Sequence, residues 1–380
     1  MNISMEKNKY CTTWGTSLRL LPKECNPPIN LSNNSLRQIF KISLGGNKFR
    51  LRLSNYYGKE NLEIKYLSIS NCIEQGTSKI CLDNNKLFKF NNSSEIIISK
   101  GEEIYTDNID INLESSSEIA ITIFFGNSFP NEITGHKFPM VNSYIEKGNK
   151  INKETFSNEY IISHWYFISN IELVSEQENQ CIICFGDSIT DGRFSSMNKE
   201  ERWPDFLYQK IKKEKPDLNM AVINQGLSGS FLTKEGIERF DKDVLEQNGM
   251  KYAIILYGIN DITKLNKGEK EIIDKFKEII KKAHEKNIKI FAGTILPFKQ
   301  YRLYNDQKNT VRNKINDWIR NCKNIEQGFD DFIDFDLIIR DEDDINKIKD
   351  IYNSGDGAHP NSLGYKKMVD AFTDLNIFIN

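Results

Sequence analysis

Residues 181–193 read CIICFGDSITDGR, and this stretch decides how the second half of the chain is interpreted. An apolar run ends at Gly186, and an acid and a hydroxyl, Asp187 and Ser188, follow it directly. One interpretation is a turn that caps a helix, because Asp, Ser and Thr often accept the first free amides of a helix. The other is a buried strand that presents a nucleophilic serine at its carboxyl end. The remaining sequence decides between them.

From Gln180 onward, short apolar runs alternate with segments of helical periodicity. Residues 269–287 place their apolar side chains on one helical face, which predicts an amphipathic helix. Strands separated by helices form a parallel sheet with right-handed crossovers, and such sheets carry their sites at the carboxyl ends of the strands. The predicted strands are residues 181–185, 221–223, 252–257, 288–294 and 332–335.

Up to about residue 175, apolar and polar residues alternate instead. Residues 40–44 and 49–53 do so on both sides of a Gly-Gly-Asn turn, which predicts a hairpin. Many short strands with no helical stretch between them predict an antiparallel β-sandwich. The polar run SEQENQ at 175–180 is the expected linker. We therefore expect a β-sandwich domain at 1–176 and an α/β domain with a parallel sheet at 177–380.

Composition excludes several classes of function. The chain has 380 residues, with 51 Lys and Arg against 53 Asp and Glu, so the net charge of −2 leaves no surplus to neutralise nucleic-acid phosphates. No apolar stretch has the length of a signal peptide or a membrane span, so we expect a soluble, cytoplasmic protein without membrane insertion. The sequence gives no indication of the oligomeric state.

The seven cysteines are odd in number and scattered, which argues against a disulfide framework. Cys181 and Cys184 form a CxxC pair, but they lie inside the first apolar run and no second pair accompanies them. We interpret both as core residues rather than as zinc or redox groups. We expect no metal and no cofactor.

The ends of the predicted strands carry the chemically unusual residues. GDSIT follows the first strand, NQGLSGS the second and GIND the third, and SGDGAHPN precedes the last helical segment. This inventory suits acyl transfer, because a serine hydroxyl needs a base within hydrogen-bond reach and a third group that orients the base.

The base can be sought by elimination among four histidines. We expect His284 on the solvated side of a helix, His164 in strand packing or capping, and His136 at the surface. His359 remains, three residues after Asp356, and a short DGAH loop can let that carboxylate bond one imidazole nitrogen while the other faces the nucleophile. An Asp that caps a turn beside an exposed His is the alternative, and the GDS stretch upstream favours the catalytic interpretation.

Acyl transfer also needs donors for the developing oxyanion. The side-chain amide of Asn260, the backbone amide of Gly229 and the amide of Ser188 itself are the candidates. Each glycine alone is weak evidence, because loops use glycine routinely for positive φ.

Together these blocks resemble the SGNH, or GDSL, hydrolase family. The resemblance implies a flavodoxin-like α/β hydrolase domain and a serine esterase that needs no metal or cofactor. Carried over residue by residue, it makes Ser188 the nucleophile, Gly229 and Asn260 the oxyanion hole with the Ser188 amide, His359 the base and Asp356 its orienting partner.

Further stretches resemble a two-domain subgroup of GDSL esterases, often labelled xylan esterase or lysophospholipase-like, in which a jelly-roll-like β-domain precedes the hydrolase. They are LGGNKFRLRLSNYYG (44–58), RWPDFL (202–207), RFDKDVL (239–245) and NDWIR (316–320). We expect short acyl groups, acetyl above all, on a carbohydrate ester. A lysophospholipid or another small acyl ester is the second choice. Tyr257, Phe298 and Tyr301 are candidates to line the subsite.

Three rival interpretations remain open. An α/β-hydrolase would use Ser228, whose GLSGS context lacks the last glycine of the GxSxG motif. A metal hydrolase would draw on Asp187, Asp334, Asp336 and His359, although no two histidines are spaced as ligands. A carbohydrate-binding protein with an inert hydrolase half is the rival from another class.

Overall fold

A computed structural model gives the fold and describes residues 9–157 and 160–379. It divides into two compact units, unit 1 over Met1–Asn179 and unit 2 over Gln180–Asn380. The last strand of unit 1 ends at Ser175, and the first strand of unit 2 begins at Gln180. The eight amino-terminal residues, which formed part of the stretch assessed for a signal peptide, lie outside the described residues.

Unit 1 is built of strands and short 3₁₀ turns. Its strands are β1 (Lys9–Gly15), β2 (Arg19–Leu20), β3 (Asn34–Lys41), β4 (Gly46–Ser54), β5 (Leu62–Asn71), β6 (Lys86–Leu87), β7 (Ile96–Ile98), β8 (Glu103–Tyr105), β9 (Ile109–Leu113), β10 (Glu118–Phe125), β11 (Thr134–His136), β12 (Ser143–Lys147), β13 (Tyr160–Ile162), β14 (Trp165–Tyr166) and β15 (Ile168–Ser175).

These strands form three antiparallel sheets. One has the order β1, β15, β4, β8, with β9 also beside β4. A second has the order β13, β12, β3, β10, β5, β6, with β7 also beside β5. A small third sheet has the order β14, β11, β2.

The two larger sheets of unit 1 contribute to a common apolar core. Alternate residues of β4, namely Phe49, Leu51 and Leu53, are fully buried. The ring of Trp14 from β1 packs edge-on against that of Phe40 from β3, with centroids 4.4 Å apart. The antiparallel β architecture predicted for the first half of the chain is therefore confirmed.

The hairpin predicted around Gly45 is wrong. β3 pairs with β10 and β12, whereas β4 pairs with β15, β8 and β9, so the turn connects two sheets. At Gly45 a Cβ would lie 2.3 Å from the carbonyl oxygen of Leu113, so the crossing needs a residue without a side chain. Alternation identifies strands and their buried faces, but it does not identify their neighbours.

Unit 2 alternates strands with helices. Its strands are β16 (Gln180–Gly186), β17 (Met220–Gly226), β18 (Met250–Leu256), β19 (Lys289–Gly293) and β20 (Asp331–Ile333). Its α-helices are α1 (Ser188–Asp191), α2 (Trp203–Glu214), α3 (Ile237–Phe240), α4 (Ile259–Thr263), α5 (Glu269–Glu285), α6 (Asp306–Arg320), α7 (Phe335–Ile339) and α8 (Ser362–Met368).

The five strands of unit 2 form one parallel sheet in the order β17, β16, β18, β19, β20. This is the flavodoxin-like order, in which the first strand lies between the second and the third. The α/β prediction is confirmed, and the stretch CIICF is the buried first strand of this sheet. Cys181 and Cys184 are fully buried and lie outside any disulfide.

Among the described residues, no helix combines the length and the apolar character needed to cross a membrane.

Candidate active site

Ser188 lies where β16 passes into α1. Asp187 is the N-cap of that helix, and its carboxylate accepts a hydrogen bond from the amide of Ile189 at 3.0 Å. The helix ends after one turn at Gly192, whose φ of +90° favours glycine. Asp187 therefore caps the turn, as the first interpretation of the opening stretch predicted, and Ser188 lies at the carboxyl end of a buried strand.

The Ser188 hydroxyl is hydrogen-bonded to the imidazole of His359, with Oγ 2.7 Å from Nε2. The other ring nitrogen, Nδ1, lies 2.6 Å from Oδ2 of Asp356. A carboxylate that accepts the Nδ1 proton leaves Nε2 as the acceptor that faces the hydroxyl. The geometry is the one in which a histidine can take a proton from a serine.

Asp356 also shapes the loop that carries His359. Its Oδ1 accepts hydrogen bonds from the backbone amides of Ala358 and His359, each at 2.9 Å. Gly357 has a φ of +82°, and a Cβ there would lie 2.2 Å from the carbonyl carbon of Gln300. A residue without a side chain is therefore needed for this loop to pack against the backbone at 300–301.

Two carboxyl groups of the site have opposite pKa shifts. Burial raises the pKa of Asp187 to about 7, and the single amide of Ile189 offsets only part of that effect. Burial acts in the same direction on Asp356, but the hydrogen bond and charge of His359, with the amides of Ala358 and His359, outweigh it. The pKa of Asp356 consequently lies well below its ordinary value, so this group is ionised at neutral pH.

Gly229 and Asn260 lie at the same sheet edge as Ser188, because β17 and β18 flank β16 on its two sides. Gly229 has a φ of +82° and open space where a Cβ would be. The amides of Ser188 and Gly229 donate no hydrogen bond within the part of the chain that the structure describes. Asn260 is buried, and its Nδ2 donates to the carbonyl of Ser230 at 3.1 Å, which uses one of its two protons.

Two acids without a predicted role hold these loops in place. Asp261 accepts hydrogen bonds from the amides of Leu232 and Thr233, each at 2.9 Å. Asp191 accepts from both the hydroxyl and the amide of Ser228, the latter at 2.9 Å. Their sequence positions carried a signal, because Asp261 follows Asn260 within GIND and Asp191 lies one helical turn beyond Ser188.

Arg239 joins three strand ends from within the sheet edge and is itself almost fully buried. Its guanidinium donates to the carbonyl oxygens of Gly186 at 2.8 Å and Gln225 at 3.0 Å, and also to the hydroxyl of Tyr257. Asp243 balances its charge at 2.6 Å. Sequence reasoning missed this role, since RFDKDVL indicated only a family resemblance.

Of the three aromatic residues considered for the subsite, two are core residues. Tyr257 and Phe298 are buried, and burial raises the pKa of Tyr257 to about 12. The Tyr257 hydroxyl is bonded to Ser230 and Arg239. Tyr301 lines a cavity.

The remaining histidines have partners elsewhere. His136 is buried, with Nδ1 2.9 Å from the carbonyl of Ser17 and its ring near Trp165, so its predicted surface position is wrong. Its ring packs against Trp165 and the carbonyl of Ser17, which lie far from it along the chain, so its sequence context as a loop residue did not reveal its burial. His164 bonds a backbone carbonyl at 2.8 Å, and His284 is a half-exposed partner of a surface aspartate.

An open cavity of about 480 Å³ adjoins the imidazole of His359. The ring of Phe194 lies edge-on to that imidazole, with centroids 5.4 Å apart. The cavity is lined by Arg193, Phe194, Gln300, Tyr301, Arg302, Asp356 and His359.

A parallel five-stranded sheet with a hydrogen-bonded serine, histidine and aspartate at its carboxyl edge defines the general class, an α/β unit of the hydrolase type. Residues 184–367 match the model of the GDSL-like lipase/acylhydrolase family. The chain therefore carries a domain of the GDSL-like lipase/acylhydrolase family, as the four sequence blocks predicted.

Three solved structures illustrate the likeness. A member of the lipolytic protein G-D-S-L family from Veillonella parvula is 22% identical, with 52% of this chain and 97% of that chain covered and a TM-score of 0.40. The lipase/acylhydrolase from Enterococcus faecalis is 20% identical over 51% and 93%, with a TM-score of 0.40. An acetyl xylan esterase from Geobacillus stearothermophilus is 18% identical over 51% and 92%, with a TM-score of 0.38. A comparison with curated proteins gave no match.

Proposed function

We propose that the chain is a serine esterase that hydrolyses short-chain acyl esters, acetyl esters of carbohydrates in particular. Ser188 is the nucleophile, His359 the general base and Asp356 the group that orients the imidazole. The observation that carries the proposal is the pair of contacts at 2.7 Å and 2.6 Å that joins these three side chains at the sheet edge.

The reaction follows from the directions of these hydrogen bonds. Nε2 of His359 takes the hydroxyl proton as Oγ of Ser188 attacks the ester carbonyl carbon, and Asp356 stabilises the imidazolium that forms. The imidazolium then gives the proton to the leaving alcohol oxygen. A water molecule, deprotonated by the same nitrogen, attacks the acyl-serine and releases the acid. The low pKa of Asp356 suits its part, because this carboxylate must stay ionised while the imidazole is charged.

The tetrahedral oxyanion would be held by the amides of Ser188 and Gly229 and by the second side-chain proton of Asn260. In favour of this assignment, both amides lack a hydrogen-bond acceptor in the described chain, and Asn260 uses only one proton on Ser230. Donors fixed in advance at a buried edge stabilise charge without reorganisation of the site.

The preference for a polar alcohol is supported by the cavity beside His359. Its lining combines the aromatic rings of Phe194 and Tyr301 with the guanidinium groups of Arg193 and Arg302. Rings and hydrogen-bonding groups together suit a hydroxyl-rich ring, whereas a long alkyl chain would leave the polar groups without partners.

The test compares two serines of the same edge. Ser188→Ala should lower kcat for nitrophenyl acetate by at least about 10⁴-fold, because the nucleophile is gone. Ser228→Ala is the matched control, since its hydroxyl bonds Asp191 instead of a histidine. We expect it to keep activity within about tenfold, because its backbone amide still bonds Asp191.

Loss of turnover in the Ser228 variant alone would show that the nucleophile has been misassigned. The same assay, run with nitrophenyl esters of increasing chain length, acetylated xylo-oligosaccharides and a lysophospholipid, tests the substrate class. Strong preference for long acyl chains would replace the carbohydrate proposal by the lysophospholipase one. No hydrolysis of any ester would favour an inert hydrolase half.

A further inference from the structure

We propose that the cavity beside His359 selects esters whose alcohol part carries an anionic group, a carboxylate or a phosphate, and that Arg302 and Arg193 recognise it. This inference rests on the proposed function and names the substrate class of the same site.

The cavity lies on the side of the alcohol. In the proposed reaction His359 returns its proton to the leaving oxygen, so the alcohol must sit next to the imidazole. The cavity is lined by His359 and Asp356, whereas the oxyanion donors Gly229 and Asn260 are absent from its lining. Ser188 is absent from the lining as well, so we assign the cavity to a part of the leaving alcohol that lies beyond the ester bond.

Arg302 lines this cavity, and its guanidinium group forms no ion pair with the described residues. It is exposed, and no hydrogen bond joins its side chain to those residues. Its backbone is nevertheless well defined, because two turns close around it: Tyr301 donates to the carbonyl of Phe298, and Tyr304 donates to that of Tyr301, each at 2.9 Å. The close packing of Gly357 against Tyr301 fixes the same segment to the loop of His359.

Arg193 reaches the cavity from the turn that carries the nucleophile. Its amide donates to the carbonyl of Ser188 at 3.0 Å, and its own carbonyl accepts from the hydroxyl of Tyr365 at 2.7 Å. Its guanidinium lies 5.1 Å from the centroid of Phe194, the ring that packs on His359. Two guanidinium groups, carried by separate segments whose backbones are hydrogen-bonded, therefore line the cavity that adjoins His359.

The other polar groups of the lining are occupied. The carboxylate of Asp356, which also lines the cavity, is bound to Nδ1 of His359 and to the backbone amides of Ala358 and His359. The amide of Gln300 donates to Asp350 at 3.0 Å, and its oxygen accepts from Asn353 at 2.7 Å. Asp350 itself is also paired with a lysine at 3.3 Å. The positive charge that can attract an anion into this cavity comes from Arg302 and Arg193, whose planar donors match carboxylate and phosphate oxygens.

The experiment measures kcat/KM for three acetyl esters with one ring: a monoacetylated methyl glucoside, the corresponding glucuronoside, and the glucoside phosphorylated at the primary hydroxyl. At low ionic strength we expect at least one anionic ester to exceed the neutral ester by about tenfold or more. The carboxylate and the phosphate arms show which anion the cavity takes. Raising the salt concentration should shrink the ratio, because the contact is solvent-accessible.

Variants of the two arginines test whether they cause the preference for anionic esters. Arg302→Gln and Arg193→Gln should each lower the anionic-to-neutral ratio about five- to tenfold, since a charge-assisted hydrogen bond is lost. Arg302→Lys should restore part of the ratio, because the charge returns without the bidentate geometry. Lys281→Gln, at an exposed lysine on α5, is the matched control and should leave the ratio unchanged.

Equal kcat/KM for all three esters, or a ratio that neither arginine variant changes, would overturn this inference and leave the esterase proposal intact. Failure of the unmodified chain to hydrolyse any of the three esters, together with nitrophenyl acetate, would instead overturn the esterase proposal and this inference with it.

Discussion

In unit 1, the buried guanidinium of Arg37 donates to the hydroxyl of Thr122 and to three backbone carbonyls, and it also lies over the ring of Phe156. At the sheet edge of unit 2, Asn260 uses one side-chain proton, and the amides of Ser188 and Gly229 use none within the described chain. Buried polar groups whose hydrogen-bond donors and acceptors are all used within the chain stabilise the fold. Groups at a strand end that keep an unused donor can bind a ligand.

The same contrast exists within unit 2 between two buried asparagines. Asn316 donates to the carbonyl of Ile295 at 2.9 Å and accepts from its amide at 2.7 Å, so both ends of its side chain are engaged by one residue. Within the described residues, the side chain of Asn260 shows a hydrogen bond at one end only, to the carbonyl of Ser230. The pair therefore offers a direct comparison of a structural amide with a proposed catalytic one.

The largest effect expected is on turnover. Asn260→Ala should lower kcat for an acetyl ester about 10²- to 10³-fold, because one donor to the oxyanion is lost. Asn316→Ala should lower the thermal stability instead and keep kcat within about threefold. Steady-state rates and melting curves of the two variants check this, and the comparison breaks if the Asn260 variant keeps full turnover.

The second prediction concerns the filled site of unit 1. Arg37→Met keeps the volume but leaves several buried carbonyls without a donor, at a cost of about 3 kcal/mol or more. We expect the melting temperature to fall by about 6–12 °C. Lys65→Met, at a solvent-exposed hydrogen bond, is the control and should change the melting temperature by about 1–2 °C at most. Equal shifts for the two variants would contradict a structural role for Arg37.

The smallest effect expected is a pH dependence of stability. The pKa of Asp187 is raised to about 7 in the fold, so the folded state holds this proton more tightly than the unfolded state does. Its contribution to stability is complete below about pH 4 and is lost as the pH rises to about 7. The side chain of the Asp187→Asn variant stays neutral at every pH. Between about pH 4 and 7 the free energy of unfolding of the variant should therefore rise relative to that of the unmodified protein, by about 1–3 kcal/mol.

Asp356→Asn provides the comparison of opposite sign. The pKa of Asp356 is lowered, so its stabilising contribution is present at neutral pH and is lost as the pH falls below the ordinary range of an aspartate. Denaturant unfolding at about pH 4.5 and 7.5 checks the Asp187 variant, and unfolding at about pH 2.5 and 5 checks the Asp356 variant, because each window spans the range in which that carboxyl group titrates. For each variant we compare its free energy of unfolding with that of the unmodified protein. If this difference rises with pH for both variants, or falls with pH for both, the assigned pKa shifts are contradicted.

Local pattern accounts for what could be predicted. The strand CIICF, the amphipathic helix α5 and the blocks around Ser188 and His359 are contiguous in sequence, and parallel sheets place strand ends at one edge. The DGAH loop is contiguous as well, so the pairing of Asp356 with His359 could be expected before any long-range geometry was available.

What could not be predicted depends on which segments meet in space. The turn at Gly45 has the composition of a hairpin, yet its two strands enter different sheets. The role of Arg239 requires three strand ends that lie far apart along the chain. The burial of His136 depends on its two neighbouring strands in the same way.

Gly357 has a consequence for how new specificity could arise in this scaffold. The segment that presents Tyr301 and Arg302 touches the backbone of the loop that carries His359, with no side chain between them. A backbone change in that segment would also move the imidazole of His359, so under the proposed function selectivity for the alcohol and turnover would change together. Directed evolution of the cavity would be expected to find its compensating changes within 353–360.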